Sequence, residues 1–367
     1  MKNIDAEIFV VDNASTDGSF DFFQNRFPHA NFIWNKTNVG FARANNEALK
    51  IAKGENILFL NPDTIVPEDC FEKSIDFIRK NNGALGIKMI DGNGNFLKES
   101  KRAFPSPVTS FFKLAGLSKL FPDSKTFSRY HLGNLNENEN HEVDVLAGAF
   151  MMIPKNILDK TGGFDEDFFM YGEDIDLSFR IQKAGFKNYY FAESTIIHFK
   201  GESTKKGSLN YVKMFYKAMS IFVKKQYGSR QAGLFSFFIH IAIFSRAVLA
   251  ATSRLVKGFT KKLSLPKDRT NSNKNIIVLI AGNDGEFETA KKLLTNSSIK
   301  NTFFERIETK NLDQIEKISK SKKADEIIFC EGKLSFKKII AALPQIPKFI
   351  HIKIFAEGSH AIIGNNE

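Results

Sequence analysis

Cysteine is scarce in this sequence, which has only Cys70 and Cys330 among its 367 residues. Two cysteines cannot build a disulfide framework, so we expect a protein of the reducing cytoplasm. A signal peptide is not expected either. The segment after Lys2 is polar and charged where a signal peptide would have an apolar core.

A recognisable nucleic-acid-binding motif is also lacking, although the net charge is +11. Because the lysines are dispersed along the chain, we expect no nucleic-acid partner. A basic surface that faces anionic lipid is the better interpretation. The charged and hydrophobic fractions, 25% and 43%, are typical of a folded protein. The length is sufficient for two domains, each with its own core.

Uninterrupted hydrophobic runs of membrane-spanning length are the third absence. Residues 234–251 are strongly apolar, but Ser236, His240 and Arg246 interrupt them. A spanning helix needs about 20 apolar residues and does not favour a central arginine. We therefore predict an amphipathic helix within residues 231–264 that lies in the membrane interface, near anionic head groups. The alternative is a helix buried against the first domain or a partner chain.

Strand and helix patterns alternate along the first hundred residues. Strands are predicted at 7–11, 56–60 and 84–89, and helices at 19–26, 42–52 and 68–81. This alternation predicts the α/β class, with a mostly parallel sheet covered by helices.

The pattern resumes after an irregular segment at 104–142. We predict a strand at 143–153, helices at 155–161 and 175–184, and in the last hundred residues strands at 275–281, 326–330 and 350–355 with helices at 287–294 and 337–343. The chain is thus divided into a first domain (1–230), the amphipathic segment (231–264), a polar linker (265–274) and a small Rossmann-like α/β domain (275–367).

Two loops near the amino terminus follow strands and lead into helices. Asp12 lies at the carboxyl end of the first strand, where open α/β sheets place ligands, and Asn13 follows it. Asp17 is better interpreted as a helix cap. Gly40 permits a tight turn before the next helix, whose amino terminus can meet an anion.

Further polar side chains follow apolar segments. Asn61 and Asp63 come after a very apolar strand, Glu173 and Asp174 belong to an acidic cluster, and His198 ends another apolar stretch. Carboxylates and a histidine are the side chains that a divalent metal and a general base require.

Structural roles for the same residues remain open. Asp176 and Arg180 are spaced for an ion pair along one helix. Glu173 and Asp174 could complement the dipole at a helix start. His198, taken by itself, is more typical of a structural histidine.

The order of these motifs resembles family 2 glycosyltransferases over roughly residues 7–230. It runs Val-Asp-Asn-x-Ser-x-Asp-Gly-Ser, Asn-x-Gly-Phe-Ala, Asn-Pro-Asp, Gly-Gly-Phe-Asp-Glu-x-Phe-Phe-Met-Tyr-Gly-Glu-Asp-x-Asp-Leu and then His. The rhamnosyltransferase-like branch, which builds bacterial surface polysaccharides, is most similar. The resemblance implies a GT-A fold. It also implies inverting transfer of a sugar from a nucleotide diphosphate sugar to a glycan or lipid-linked acceptor, at the cytoplasmic face of the membrane.

The resemblance also implies roles for individual residues. The donor nucleotide would contact Asp12, Asn13, Gly40 and Asn61; Asp63 and His198 would bind Mg²⁺ or Mn²⁺; Asp174 would be the general base; Glu173 would position acceptor hydroxyls; and Ser203 and Thr204 would lie in a loop that closes over the donor. Asn61 replaces the first acid of the family's Asp-x-Asp pair. We therefore expect Asp63 to be the primary metal ligand.

One departure from the family motivates an alternative function. Family members begin with another strand and helix, whose Thr-Tyr-Asn-like turn holds the nucleotide, whereas this sequence begins at the strand that usually comes second. A sheet without that strand loses part of the nucleotide pocket and exposes an edge. The alternative is a non-catalytic, truncated relative that acts as a membrane or partner-docking scaffold.

The last hundred residues contain a weaker motif. Residues 276–287 resemble the first strand, turn and helix of a Rossmann domain, but they lack the full Gly-x-Gly-x-x-Gly pattern. They are similar to modules attached to polysaccharide-assembly enzymes. We predict a packing or partner-docking module rather than a dinucleotide site.

Overall fold

The computed structural model describes residues 4–106, 108–109, 117–121, 123–126, 128–199, 209–228, 233, 237, 275–295, 302–359 and 361–364. Most of the predicted interfacial segment (231–264), the linker (265–274) and the predicted donor loop with Ser203 and Thr204 lie outside these residues. Within the ranges that are described, no helix is long and apolar enough to cross a membrane.

The amino-terminal part alternates strands and helices. Its strands are β1 (Phe9–Asp12), β2 (Asn31–Trp34), β3 (Asn56–Leu60), β4 (Thr64–Ile65), β5 (Gly83–Ile90), β6 (His141–Glu142), β7 (Phe150–Pro154) and β8 (Lys187–His198). Its helices are α1 (Ser19–Arg26), α2 (Phe41–Leu49), α3 (Cys70–Lys80), α4 (Leu117–Leu120), α5 (Lys155–Thr161), α6 (Glu173–Lys183) and α7 (Leu209–Tyr227). The predicted α/β class is confirmed. The prediction missed β2, which has only four residues, and β8, for which it noted only an apolar stretch ending at His198.

Two sheets organise this part of the chain. β1 and β2 pair in parallel and form a sheet of their own, with Asp12 opposite Trp34. The larger sheet has the order β3-β7-β5-β8-β4, and β6 pairs with β8. Its most extensive pairing, β5 with β8, is parallel, whereas β7 pairs antiparallel with β3 and β5. The larger sheet is therefore mixed.

The larger sheet is buried on both faces. One hydrophobic cluster includes Leu177 and Ile181 of α6, and a second includes Cys70 and Ile78 of α3. Every residue of β5 except Lys88 is buried, as expected for a central strand between two helical layers. The sheet thus gives a rigid base to the loops at its edges.

The carboxyl-terminal part forms its own five-stranded sheet. Its elements are β9 (Ile276–Ala281), α8 (Asp284–Thr295), β10 (Thr302–Ile307), α9 (Ile315–Lys322), β11 (Glu326–Cys330), α10 (Phe336–Ala342), β12 (His351–Phe355) and β13 (Ile362–Gly364). The strand order is β10-β9-β11-β12-β13, and all pairings except the last are parallel. The strands and helices predicted for this part are present, and β10, α9 and β13 are additional. The small domain itself, with its boundaries, stays a prediction.

The turn after β9 is filled by a carboxylate of the protein itself. The Glu286 side chain accepts hydrogen bonds from the backbone N–H groups of Asn283 (2.7 Å) and Lys333 (3.1 Å), and the Asn283 side chain accepts one from Glu286 N–H in return. This is a reciprocal cap. A dinucleotide phosphate would need the same helix amino terminus. The contact therefore favours a packing or docking module over a dinucleotide site.

The two parts of the chain share a hydrophobic cluster. Ile65, Ile90, Ile197 and Phe199 of the first part belong to the same buried cluster as Leu343 of the second. These four residues lie on or next to β4, β5 and β8, so the carboxyl-terminal part packs on that side of the larger sheet.

Polar contacts surround this shared cluster. The Glu68 carboxylate accepts hydrogen bonds from the backbone N–H groups of Phe336 (2.6 Å) and Lys337 (3.1 Å) at the start of α10. Lys337 also forms an ion pair with Asp69 at 2.7 Å. The start of α3 is thereby connected to the start of α10.

Candidate active site

Strand pairing brings Asp63 beside His198, although 134 residues separate them in the chain. Thr64 of β4 pairs with His198 of β8, and Phe199 N–H donates to the Asp63 carbonyl at 2.9 Å. His198 Nε2 then lies 3.2 Å from Asp63 Oδ1. Burial alone raises the pKa of Asp63, but the hydrogen bond and charge of His198 outweigh it, so the pKa is lowered.

The Asn-Pro-Asp turn is held on both sides. Asn61 N–H donates to the Ala149 carbonyl at 3.0 Å, and the Thr64 hydroxyl donates to the Asn61 carbonyl at 2.7 Å. The Asn61 side chain also bonds to Asp63, which helps to lower the Asp63 pKa. These contacts fix Asp63 at the end of β3 without a second carboxylate.

The Asp63–His198 pair fits a divalent cation that takes its other ligands from the substrate. A carboxylate and an imidazole suit Mn²⁺, and Mg²⁺ usually keeps few protein ligands. Adjacent ligands of such an ion are roughly 3 Å apart, close to the separation of these two atoms. No group of three metal-binding side chains occurs in the parts of the chain that are described. The same contact is also compatible with a simple ion pair that binds no metal.

Asp174 is positioned at the start of α6, after Gly172 with φ of 90°. Its Oδ1 accepts from Ile175 N–H at 2.8 Å, and its Oδ2 accepts from Gly148 N–H at 3.3 Å. Oδ2 also accepts from Arg102 Nη2 at 2.6 Å. Three separate parts of the chain therefore fix this carboxylate.

Glu173 differs sharply from its neighbour Asp174. Its side chain is buried, and Oε2 has no hydrogen-bond partner among the described residues. Burial, and then the charge of Asp174, raise the pKa of Glu173 to about 8. At neutral pH Glu173 is therefore the protonated member of the pair, while Asp174 carries the ion pair with Arg102. Two adjacent carboxyl groups with different protonation states suit acid and base roles.

Asp176 has the structural role that its spacing allowed. Its Oδ2 accepts from Arg180 Nε at 2.7 Å, and its Oδ1 accepts from Gln226 Nε2 at 2.7 Å. Arg180 additionally donates to the carbonyls of Thr161 and Gly163. Asp176 therefore connects α6 to α7 and is not part of the candidate site.

The two predicted nucleotide-binding loops contact one another. Asn13 Nδ2 donates to the Gly40 carbonyl at 3.2 Å. Gly40 has φ of 87°, and a Cβ there would lie 2.6 Å from the Phe169 carbonyl oxygen, so glycine is required. Asp12 Oδ2 accepts from Ser15 N–H at 2.9 Å, a local turn contact that also orients the carboxylate.

The segment 147–149 joins the predicted site residues. Ala149 binds the Asn61 backbone, Gly148 binds Asp174, and the position of a Cβ on Gly148 lies 3.9 Å from Phe41, which follows Gly40. The nucleotide loops, the Asp63–His198 pair and Asp174 are thus connected through one short segment.

Arg102 is the site residue that sequence reasoning missed. It lies in a stretch without helical or strand periodicity, at the edge of the segment predicted to be irregular. An adjacent basic pair, Lys101-Arg102, before an apolar Ala-Phe-Pro was the only signal. Burial, which decides its role, is not visible in that pattern.

Comparison with known proteins gives one family. Residues 2–162 match the model of glycosyl transferase family 2. The chain is 26% identical over 275 residues to an N-acetylglucosaminyl-diphospho-decaprenol L-rhamnosyltransferase of Mycobacterium tuberculosis, covering 71% of this chain and 89% of that protein. It is 30% identical over 173 residues to the rhamnosyltransferase WbbL of Escherichia coli, covering 44% and 61%.

Solved structures give weaker matches. A mannosyltransferase from Pyrobaculum calidifontis in complex with GDP-Man and Mn²⁺ is 16% identical, with a TM-score of 0.41 over 71% of this chain and 72% of that one. The family model and the curated relatives carry the assignment. The amino-terminal part of this chain is a family 2 glycosyltransferase domain of the rhamnosyltransferase-like branch.

Proposed function

We propose that the chain is a metal-dependent, inverting glycosyltransferase. It transfers a sugar from a nucleotide diphosphate sugar to a glycan or lipid-linked acceptor in bacterial surface polysaccharide synthesis. The observation that carries the proposal is the contact between Asp63 and His198, on elements that segment 147–149 connects to Asp174. The names of the relatives, one a rhamnosyltransferase for a decaprenol-linked sugar, support the acceptor class.

The donor side of the proposed site consists of the nucleotide loops and the Asp63–His198 pair. Asp12, Asn13, Gly40 and Asn61 would contact the nucleotide, and Asp63 and His198 would hold Mg²⁺ or Mn²⁺. When bound, the cation supplies Lewis-acid stabilisation of the departing diphosphate. His198 is buried and Asp63 is partly buried, which strengthens their interaction with charge. Ser203 and Thr204 remain the predicted residues of a donor-covering loop.

The acceptor side consists of the two acids at the start of α6. Inversion requires a base on the face of the sugar opposite the leaving group, and Asp174, held in place by its ion pair with Arg102, is the candidate. It would take the proton of the acceptor hydroxyl as the new bond forms. Glu173, protonated at neutral pH, would donate a hydrogen bond that positions acceptor oxygens.

Replacement of Asp174 tests the chemical step. Asp174→Asn keeps the shape but removes the base, so we expect turnover to fall by about 10²–10⁴ while donor binding is unchanged. Asp76→Asn, on the exposed face of α3, is the matched control and should retain full turnover. A donor and acceptor panel assayed by mass spectrometry gives the rates. Unchanged turnover in Asp174→Asn would remove this residue from the mechanism.

Donor binding distinguishes the enzyme from the scaffold alternative. Calorimetry with UDP, dTDP and GDP in the presence of Mn²⁺ should show binding to one of them, and Asp63→Asn should weaken it. Absence of heat with all three nucleotides favours the scaffold. An Asp63–His198 ion pair without a metal is compatible with that outcome. Membrane contact, proposed from the lipid-linked acceptor class, is tested separately by flotation with anionic vesicles.

A further inference from the structure

Arg102 is a buried cation that the roles above do not use directly. It is 9% exposed and lies after β5, where its carbonyl accepts from Val145 N–H at 3.0 Å. Three residues after Val145, the backbone N–H of Gly148 donates to Asp174. The backbone around Arg102 is thus fixed to the segment that joins the site residues.

The guanidinium group connects Asp174 to the backbone. Nη2 lies 2.6 Å from Asp174 Oδ2 and 2.6 Å from the Leu146 carbonyl oxygen. Burial alone would lower the pKa of Arg102, but Asp174 and then Tyr130, through their charges and hydrogen bonds, raise it above its usual value. The group is therefore permanently charged. Since a guanidinium holds several donors in one rigid plane, it can bind both acceptors at once.

The charges in this buried region are unequal in number. Glu173 and Asp174 are adjacent acids. Arg102 forms an ion pair with Asp174 and acts on Glu173 only through its charge. The positive charge of Arg102 therefore balances one carboxylate. A second ionised carboxylate would be a buried charge without a partner, which is strongly destabilising. The cation selects Asp174 as the ionised member because the 2.6 Å contact is made to that residue alone.

We propose that Arg102 is a positioning residue for the proposed glycosyl transfer: it holds Asp174 ionised and aimed, and leaves its neighbour Glu173 neutral. The inference rests on the proposed function. A merely structural Arg102 would instead pin the segment around 102 against α6. That role would affect stability without altering how activity depends on pH.

The pH dependence of turnover separates these roles. Without the cation, Asp174 is protonated more easily, so the acidic limb of the kcat profile should move to higher pH by about one unit or more in Arg102→Gln. We expect kcat at neutral pH to fall by about 10²–10⁴, with the donor KM nearly unchanged. Arg102→Lys, which keeps a charge but not the fork, should be intermediate, and added guanidinium should partly restore Arg102→Ala.

Lys101 provides a matched control. It is also buried, and its Nζ donates to the carbonyls of Leu132 and Leu135, both at 2.8 Å, so it does not hold Asp174. Lys101→Gln should lower the melting temperature without moving the acidic limb. An equal loss of rate at every pH in Arg102→Gln, or an equal shift in Lys101→Gln, would overturn the inference.

A second readout does not depend on turnover. Protein labelled with ¹³C at the aspartate carboxyl carbons is titrated by NMR, and Asp174→Asn identifies the Asp174 signal. In Arg102→Gln that signal should take up its proton at higher pH than in the unaltered chain. The same titration in both proteins refutes the inference even if no donor supports transfer. Inactivity of the unaltered chain with the full panel refutes the proposed function alone. Arg102→Lys serves if Arg102→Gln does not fold.

Discussion

At the scale of single residues, some members of the candidate site could be predicted from the sequence, whereas others depend on packing that the sequence does not show. Asp63 and His198 were predicted as metal ligands from the resemblance of their motifs to family 2 glycosyltransferases. Their contact follows from the register of β4 on β8. Arg102 could not be predicted, since its charge is set against Asp174 by burial and not by spacing. Burial likewise raises the pKa of Glu173, which the sequence pattern does not show.

The raised pKa of Glu173 predicts a pH-dependent stability. A group whose pKa is raised on folding stabilises the native state fully below its unfolded value, near 4.5. That contribution is lost as the pH rises towards the folded value. Glu173→Gln, a neutral isostere, should therefore melt close to the wild type at pH 5 and a few degrees higher at pH 8.

Calorimetric melting from pH 5 to pH 9 measures this difference. The charged groups that act on the pKa of Glu173 are Asp174, which raises it, and Arg102, which lowers it; neither is altered by the substitution. Glu72→Gln, an exposed change on α3, should follow the wild type at each pH. A parallel pH dependence in Glu173→Gln and the wild type would mean that Glu173 is ionised at neutral pH.

At the scale of elements, long apolar runs were predicted well. β3, β5 and β7 all have continuous apolar sequences; β5 and β7 lie inside the larger sheet, and β3 pairs with β7 at its edge. β2 and β10 were missed because their residues are partly exposed and pair at the sides of the sheets. Such strands are stabilised by pairing with a neighbouring strand, and their own sequence pattern does not indicate a strand.

Gly40 provides a test of how a loop fixes an element. Its φ of 87° and the 2.6 Å approach to the Phe169 carbonyl leave no room for a Cβ. Gly40→Ala should therefore destabilise the fold by about 2–4 kcal/mol, the sum of backbone strain and a forced shift. Gly18→Ala is the control, since Gly18 has φ of 82° but no atom within 4 Å of the added Cβ. It should cost only about 1–2 kcal/mol.

Thermal unfolding of both variants measures the difference. Because Asn13 donates to the Gly40 carbonyl, Gly40→Ala should also weaken nucleotide binding more than Gly18→Ala does. Equal destabilisation by the two substitutions would show that the Phe169 contact relaxes freely.

At the scale of the whole molecule, the sequence predicted two α/β parts but not how they meet. Ile65, Ile90, Ile197 and Phe199 resemble ordinary core residues in the sequence. In the structure they share a cluster with Leu343 of the other part. An apolar residue at an interface has the same pattern as one in its own core, so periodicity cannot distinguish the two. The carboxyl-terminal part is consequently a support for the strands that carry Asp63 and His198.

The contact of Glu68 with the start of α10 tests that support. Glu68→Gln removes a charge that faces two backbone N–H groups, which should weaken docking by about 1 kcal/mol. Hydrogen exchange should then become faster at Ile65, Ile197 and Phe199, which lie in the other part of the chain. Metal-dependent donor binding should weaken in the same variant, because Asp63 and His198 flank these residues. Glu72→Gln is the control. Glu72 is exposed on α3 and does not contact the carboxyl-terminal part among the described residues, so this variant should leave the exchange rates unchanged. If exchange in Glu68→Gln increases only within α10, the two parts fold independently and the strands at the site need no support from the second.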